Sequence, residues 1–385
     1  MITRNILLLT GSIAIIGANS LVLSPIAASV AKSFAGVEAA NIMTASAIYG
    51  LATAISALTL ASTADRIGAE RALLHALLVL SVALAVAALA PTLVVLCLAQ
   101  ALAGLAAGAA LPAIYTLAAQ VAEKGRESET LGIVLTGWTL SLVAGVSLSA
   151  VLADILHWRA VFSTLAVAST GLAVAIARSK DWGTVVRAAM PTSPFTALRV
   201  LGIVPTLLNV AAYMTAFYGL YSYLGPHLGS VLQLPVAFAG VAICAYGVGF
   251  GVAAPLGRVV DRYGTLTAAT AAFAGLTSVY LGLAASADHA FILLVCCVMW
   301  GLANHVGLNL LVRRLTELDP RQRGAIMGLY SAVTYFCVFI GALVYRPIFE
   351  QFGFAACALL SAACVVPALV GSFRRPSSDI MQKQV

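Results

Sequence analysis

Ala61-Ser62-Thr63-Ala64-Asp65-Arg66-Ile67-Gly68, followed by Ala69-Glu70-Arg71, is a short charged turn between two long apolar runs. It returns as Gly257-Arg258-Val259-Val260-Asp261-Arg262-Tyr263-Gly264. The pattern small-x-x-x-Asp-Arg-x-Gly thus occurs twice, 261 − 65 = 196 positions apart, about half of the 385-residue chain. The same offset carries Gly132 onto Gly328, Gly145 onto Gly341 and Glu123 onto Asp319. One shared Asp-Arg pair is weak evidence, but several matches at one offset mark a duplicated unit.

Composition says where such a unit can fold. The chain is 62% hydrophobic and 9% charged, against about 25% charged in a soluble domain. It reads as an integral membrane protein. A membrane helix needs roughly 20 residues, and twelve spans with short loops fill the length. They are placed at 6–31, 40–61, 72–90, 93–119, 131–153, 160–177, 201–224, 235–257, 266–286, 290–311, 325–346 and 354–373. The apolar run at the N-terminus is longer than a signal-peptide core and is read as the first span. The net charge of +7 does not point to nucleic acid, because the basic residues are scattered through short loops. All seven cysteines fall in apolar runs without metal-ligand spacing, so no metal site and no disulfide is expected.

Of the 21 Lys and Arg, only Lys32, Arg159 and Arg346 fall on one side of these spans, leaving 21 − 3 = 18 on the other. The positive-inside rule places both termini in the cytoplasm. The longest linker, 178–199, carries Arg178, Lys180, Arg187 and Arg199 with Pro191 and Pro194. It divides an N-terminal six-helix bundle (1–177) from a C-terminal one (200–373), with a polar tail at 374–385. The expected fold is an all-α membrane protein of 12 transmembrane helices in two pseudo-symmetric six-helix bundles.

These residues resemble the major facilitator superfamily. Its loop signature, Gly-x-x-x-Asp-Arg-x-Gly, is matched fully by 257–264 and with Ala61 in place of the first Gly by 61–68. Span 5 reads Gly137-Trp138-Thr139-Leu140-Ser141-Leu142-Val143-Ala144-Gly145-Val146-Ser147-Leu148-Ser149, followed by His157-Trp158-Arg159. It is similar to the signature of the 12-span drug–proton antiporter branch, which includes sugar and nucleoside efflux permeases. Tyr221-Ser222-Tyr223-Leu224-Gly225-Pro226 in span 7 also resembles that branch. Two departures bear on coupling. The span-4 Arg associated with proton coupling is Gln100, and the span-5 Pro is Ser147.

The resemblance implies a gate latch in the charged loops. Asp65 would cap the cytoplasmic end of span 11, whose dipole favours an anion, and Arg66 would pair with Glu123. By the repeat, Asp261 and Arg262 would face span 5 and Asp319, with Gly68, Gly257 and Gly264 shaping the turns. Gly104 and Gly108 form a small-x-x-x-small face for close helix packing. Close helix packing is also the favoured reading of the repeat-related Gly145 and Gly341, the sharper one being a sliding contact between the halves near Gly145. Pro25, Pro112, Pro226 and Pro255 are expected to kink or end helices.

The acidic residues are informative by position. None of the 14 Asp and Glu lies in the middle of an expected span, whereas intramembrane carboxylates are the usual proton carriers. The titratable group at depth is His305, the candidate proton carrier if coupling to protons exists. The expected cavity is polar and uncharged. Asn19, Gln100, Asn209, Asn304, His305 and Asn309 are costly in lipid unless turned inward. Tyr213, Phe217 and Tyr221 repeat every four residues on span 7, and Tyr330 adds an aromatic from span 11. Such a lining suits a neutral or weakly amphiphilic organic molecule.

No phosphate-binding Gly-x-x-x-x-Gly-Lys loop and no nucleophile–base constellation stands out, so neither an ATP-driven pump nor an enzyme is expected, and no cofactor. The resemblance implies a secondary transporter of the inner (plasma) membrane, monomeric in its lipid bilayer, exporting a small-molecule substrate of drug, sugar or nucleoside type. The alternative is a proton-independent facilitator or uptake carrier, which Gln100 favours. A non-transporting scaffold or sensor would have no reason to keep polar residues at depth in both halves.

Overall fold

In the computed structural model, residues 3–60, 67–123, 126–179, 182, 194–253, 265–319 and 322–372 are described. Asp65, Arg66, Gly257, Asp261, Arg262 and Gly264 lie outside the described residues, as do most of the 178–199 linker and the tail after 372.

Among the described residues the regular elements are all helices. They are α1 (Arg4–Leu21, continued by Leu23–Ala31), α2 (Ala39–Thr59), α3 (Ala69–Leu89), α4 (Leu93–Gln120) and α5 (Glu127–Leu140, continued to Ile155). There follow α6 (Trp158–Ala177), α7 (Ile203–Pro226), α8 (Val236–Val252), α9 (Thr265–Ala285) and α10 (Ala290–Leu318). The last helical stretch, Arg323–Ser372, holds α11 and α12, separated at Gly353. Gly353 turns the chain with φ 76°, a left-handed conformation that glycine adopts at least cost. Among the described residues nine helices are long and apolar enough to cross a membrane. Counting the doubled last helix once more and adding the shorter Val236–Val252 and Ala269–Ala285 gives 9 + 1 + 2 = 12.

Local chemistry explains the helix ends and the interruptions. Thr92 Oγ1 accepts from the Val95 N–H at 3.3 Å and so caps α4. Two spans are irregular, the first of them where Pro25 is expected to kink or end it. The first is interrupted at Val22, because Pro25 has no N–H to return to Leu21 O. The fifth carries a π-helical turn over Ser141–Val146, and Ser147 Oγ donates to Leu142 O at 2.9 Å, five residues back. An extra residue per turn is a frequent mark of functional sites in helices.

The connections sort into two faces. Asn5 and Ser179, linked through the Ser179 hydroxyl, mark the linker face. The far face holds the α1–α2, α3–α4 and α5–α6 connections. There Trp158 Nε1 donates to Ser33 Oγ (2.8 Å) and Arg159 Nη2 to Ala90 O (2.9 Å). In the second half His227 bonds Ala287 O (2.8 Å) and stacks on Phe354, joining the α7–α8, α9–α10 and α11–α12 connections on the same face.

Within the first half α4 lies close against α2. A methyl group at Gly108 would sit 2.5 Å from Thr53 O and 2.6 Å from Ser56 Cβ, and Gly104 fits beneath the Tyr49 carbonyl. Ser56 Oγ donates to Leu105 O at 2.6 Å across the same seam. Small residues permit this approach where lipid supplies no hydrophobic drive between helices.

The two halves meet from the middle of the bundle to the far face. On α8, Gly251, Gly247 and Gly240 share one face and pack on Thr139, then Leu142 and Val143, then Ser147 and Ala150 of α5. On the other side Gly50 of α2 packs against Val338 and the Tyr335 carbonyl of α11. At the far face Ala28 meets Gly229, and Ser24 meets Gly225. Gly145 is not part of this contact. Its α-carbon faces Ala18 of α1, where an added methyl would lie 2.9 Å from Ala18 Cβ. The expected sliding contact at Gly145 is therefore corrected: the glycine joins α5 to α1 inside one half. Its repeat mate Gly341 likewise packs on Gly219 of α7.

Replacing Gly108 with Val is expected to lower thermal stability in detergent by about 1–3 kcal/mol, because its neighbour is backbone and cannot yield. Gly132→Ala, which meets nothing within 4 Å, is expected to leave the melting temperature unchanged or slightly raised. Equal effects at the two positions would contradict the α2–α4 packing.

Candidate functional site

The polar interior begins with an amide pair. Asn19 Nδ2 donates to Gln100 Oε1 at 3.1 Å, and Gln100 Nε2 donates to Asn19 Oδ1 at 3.3 Å. Both side chains are buried between α1 and α4. Each amide keeps a second N–H and a second lone-pair site, and neither carries charge. A guanidinium at position 100 would need a buried anion, whereas a glutamine is satisfied by Asn19. The buried described residues include no Asp, Glu, Lys or Arg.

A second neutral network lies in the other half. Asn304 Nδ2 donates to the Tyr246 hydroxyl at 2.7 Å, and the Tyr213 hydroxyl donates to Asn304 O at 2.5 Å. Asn304 Oδ1 and His305 Nδ1 are buried without a hydrogen-bond partner. Phe217 stacks on Tyr246 (centroids 5.5 Å apart) and packs against Tyr218, Tyr221 and Trp300. His305 meets the ring of Phe250 edge-on at 4.6 Å. Between the halves Tyr49 of α2 meets Tyr335 of α11, centroids 6.2 Å apart.

The expected cavity residues therefore divide. Asn19 joins Gln100, while Tyr213 and Asn304 bond each other inside the second half. Phe217 centres an aromatic cluster, and Tyr221 crosses to α1, its hydroxyl donating to Leu21 O at 3.1 Å. Asn209 and Tyr330 are half-buried on α7 and α11. Asn309 is corrected. It is exposed on α10, in one row with exposed Val295, Met299 and Arg313, and turned from the face of Asn304. The four-residue spacing from His305 is real, but the row's direction is set by packing of α10 on α8 and α9. The main additions are Tyr246, Phe250 and Trp300. Tyr246 and Phe250 are four apart on α8, the same spacing that singled out the α7 aromatics.

Of the charged gate residues expected, Glu123 and Asp319 are described, and both sit at the linker face. Arg126 binds Glu123 (2.9 Å) and Glu129 (2.7 Å), and all three are exposed. The hydrogen bonds that Arg126 donates to these carboxylates, Glu129 foremost, push its guanidinium further above its already high pKa. Glu123, the expected partner of Arg66, is thus held by its own neighbour. Asp319 accepts from Gln322 Nε2 at 2.9 Å.

Twelve apolar helices in two repeated halves, each with an uncharged polar interior among the described residues, define a membrane carrier. The comparisons agree, and the chain belongs to the Major Facilitator Superfamily, which it matches over residues 8–342. Its interior serves solute passage and not enzymic chemistry, since the family and the relatives are transporters. It is 28% identical over 373 residues to YwfA of Bacillus subtilis (strain 168), an uncharacterized MFS-type transporter, covering 94% of this chain and 90% of that one. It is 25% identical over 266 residues to a probable sugar efflux transporter of Pasteurella multocida (strain Pm70), covering 66% and 63%. The crystal structure of the human organic anion transporter MFSD10 (TETRAN) shares the fold. Its TM-score is 0.71 at 16% identity, over 96% of this chain and 99% of that one.

The Asn19–Gln100 pair can be measured directly. A double-mutant cycle with Asn19→Leu and Gln100→Leu, read by unfolding in detergent, is expected to give a coupling energy of about 0.6–1.7 kcal/mol. Strict additivity would show that the two amides do not hold each other.

Proposed function

We propose that this transporter exports small neutral or weakly amphiphilic organic molecules, of drug, sugar or nucleoside type. The two six-helix halves would rock about a central site, exposing it alternately to the two sides. The observation that carries this reading is the lining: paired amides and clustered aromatics with no buried carboxylate or cation among the described residues. Such a site offers hydrogen bonds and π-faces but nothing to neutralise a fully charged solute. The name of the Pasteurella relative supports the efflux direction.

The Lys and Arg distribution supports both termini and the 178–199 link lying in the cytoplasm, and the family resemblance suggests a monomer in the plasma membrane. The far face is then the external one. The Asp65–Arg66 and Asp261–Arg262 loops would bias the two states from the cytoplasmic side, with Glu123 and Asp319 as their acidic partners. Proton coupling, where present, would fall to His305, whose Nδ1 is unpartnered. A facilitator is the second reading, favoured by the neutral Asn19–Gln100 pair at the position where the resembling branch carries its coupling arginine.

Accumulation of neutral drugs, sugars and nucleosides in cells expressing the protein, with and without a protonophore, separates the two. The expected result is lower accumulation of at least one solute, abolished by the protonophore and by His305→Gln. Equilibration that ignores the protonophore would replace export with facilitation.

A further inference from the structure

The contact between α1 and α7 at the far face is more specific than a packing of small residues. Ser24 Oγ donates to Tyr221 O at 2.6 Å, and the Gly225 N–H donates to Ser24 Oγ at 3.3 Å. Tyr221 O and Gly225 N–H are the i and i+4 groups that an α-helix pairs with each other. A hydroxyl from the first half thus enters one rung of a helix in the second. The return contact is equally specific. Leu21 O has no helical partner four residues on, because that residue is Pro25. The Tyr221 hydroxyl supplies the missing donor from the opposite half at 3.1 Å. Gly225 allows the approach, since a methyl group there would overlap the Ser24 carbonyl. Immediately beyond, α7 widens into a π-helical turn over His227–Val231.

We infer that Ser24 and Tyr221 form the exchangeable latch of the far-face gate, each satisfying a backbone group of the opposite half. This rests on the alternating-access reading above. Opening withdraws the Ser24 hydroxyl, and the Tyr221–Gly225 rung then closes on itself. Leu21 O, released by Tyr221, meets the water that enters as the face opens. Leu21 O, Tyr221 O and the Gly225 N–H are thus each paired in both states, which an apolar medium demands. Tyr221 also touches Phe217 of the aromatic cluster, ring centroids 5.6 Å apart. It is therefore a positioning residue that joins the occupancy of the cluster to the gate.

The test places cysteines at Ala28 and Gly229, which face each other beside the latch, in the full-length protein in lipid vesicles. Their disulfide, formed with a mild oxidant and read by mass spectrometry, reports the sealed state. The parent pair is expected to cross-link readily. Each hydrogen bond lost should lower the sealed-to-open ratio about threefold, so Tyr221→Phe falls about threefold and Ser24→Ala up to about tenfold. Ser24→Thr, which keeps the hydroxyl, should restore the parent rate, and melting temperatures should stay near the parent's. Gly225→Ala should abolish the cross-link. Parent-like cross-linking in both Ser24→Ala and Tyr221→Phe would overturn the latch and leave alternating access standing. A parent pair that never cross-links would overturn the alternating-access reading, and the latch with it.

Discussion

A backbone N–H or C=O within a bilayer has no water to bond, and this constraint governs the molecule from its helices to its seams. It forces the chain into helices, and it makes every departure from helix a local problem with a named solution. Pro25 deprives Leu21 O of a donor, and Tyr221 provides one. Ser147 follows the π-turn of α5, and its hydroxyl returns to Leu142 O. In each case a short hydroxyl or a phenol stands where the ladder is incomplete. At these irregular places a backbone group lacks a partner in its own ladder, and a side chain can take that place.

The second governing term is the cost of charge at depth. The chain meets it by leaving ionised groups out of the buried interior and building polarity from amides. Asn19 with Gln100, and Asn304 with Tyr246, each satisfy polar atoms pairwise. The match is incomplete in the second half, where Asn304 Oδ1 and His305 Nδ1 stay unpartnered beside an aromatic cluster. Buried polar atoms without partners are rare enough to need a reason, and a solute that hydrogen-bonds while stacking on aromatics supplies one. The halves differ in kind: the first pairs its two amides with each other, and the second leaves Asn304 Oδ1 and His305 Nδ1 open beside aromatic rings.

The sequence was most legible where the argument was repetition and hydropathy. All twelve expected spans have a helix, because an apolar run of membrane length has few other ways to satisfy its backbone. The small-x-x-x-small face at Gly104 and Gly108 also forecast a real seam, since a bare Cα invites close approach in any fold. Legibility failed where direction around a helix mattered. Gly145 and Asn309 lie on helices placed as expected, yet one faces its own half and the other the exposed row. A four-residue spacing says that two side chains share a face, and only packing says what that face meets. Tyr246 and Trp300 were passed over for the same reason. They are apolar enough to pass as filler until Phe217 and Asn304 are seen against them.

The seam between α5 and α8 shows how two rigid halves can move without repacking. Gly240, Gly247 and Gly251 present a nearly smooth strip, and the nearest partner of Gly240 on α5 includes the Ser147 carbonyl. Interlocked side chains would have to disengage before one helix rolled on the other, since packed interiors resist continuous deformation. A strip without side chains has little to disengage. At the α1–α7 contact the opposite solution holds, with directed hydrogen bonds and a fitted glycine. A broad seam with low resistance, closed at its end by a few directed bonds, gives two discrete states. On the proposed alternating-access mechanism the strip would permit the motion, and the bonds at Ser24 and Tyr221 would decide where it rests.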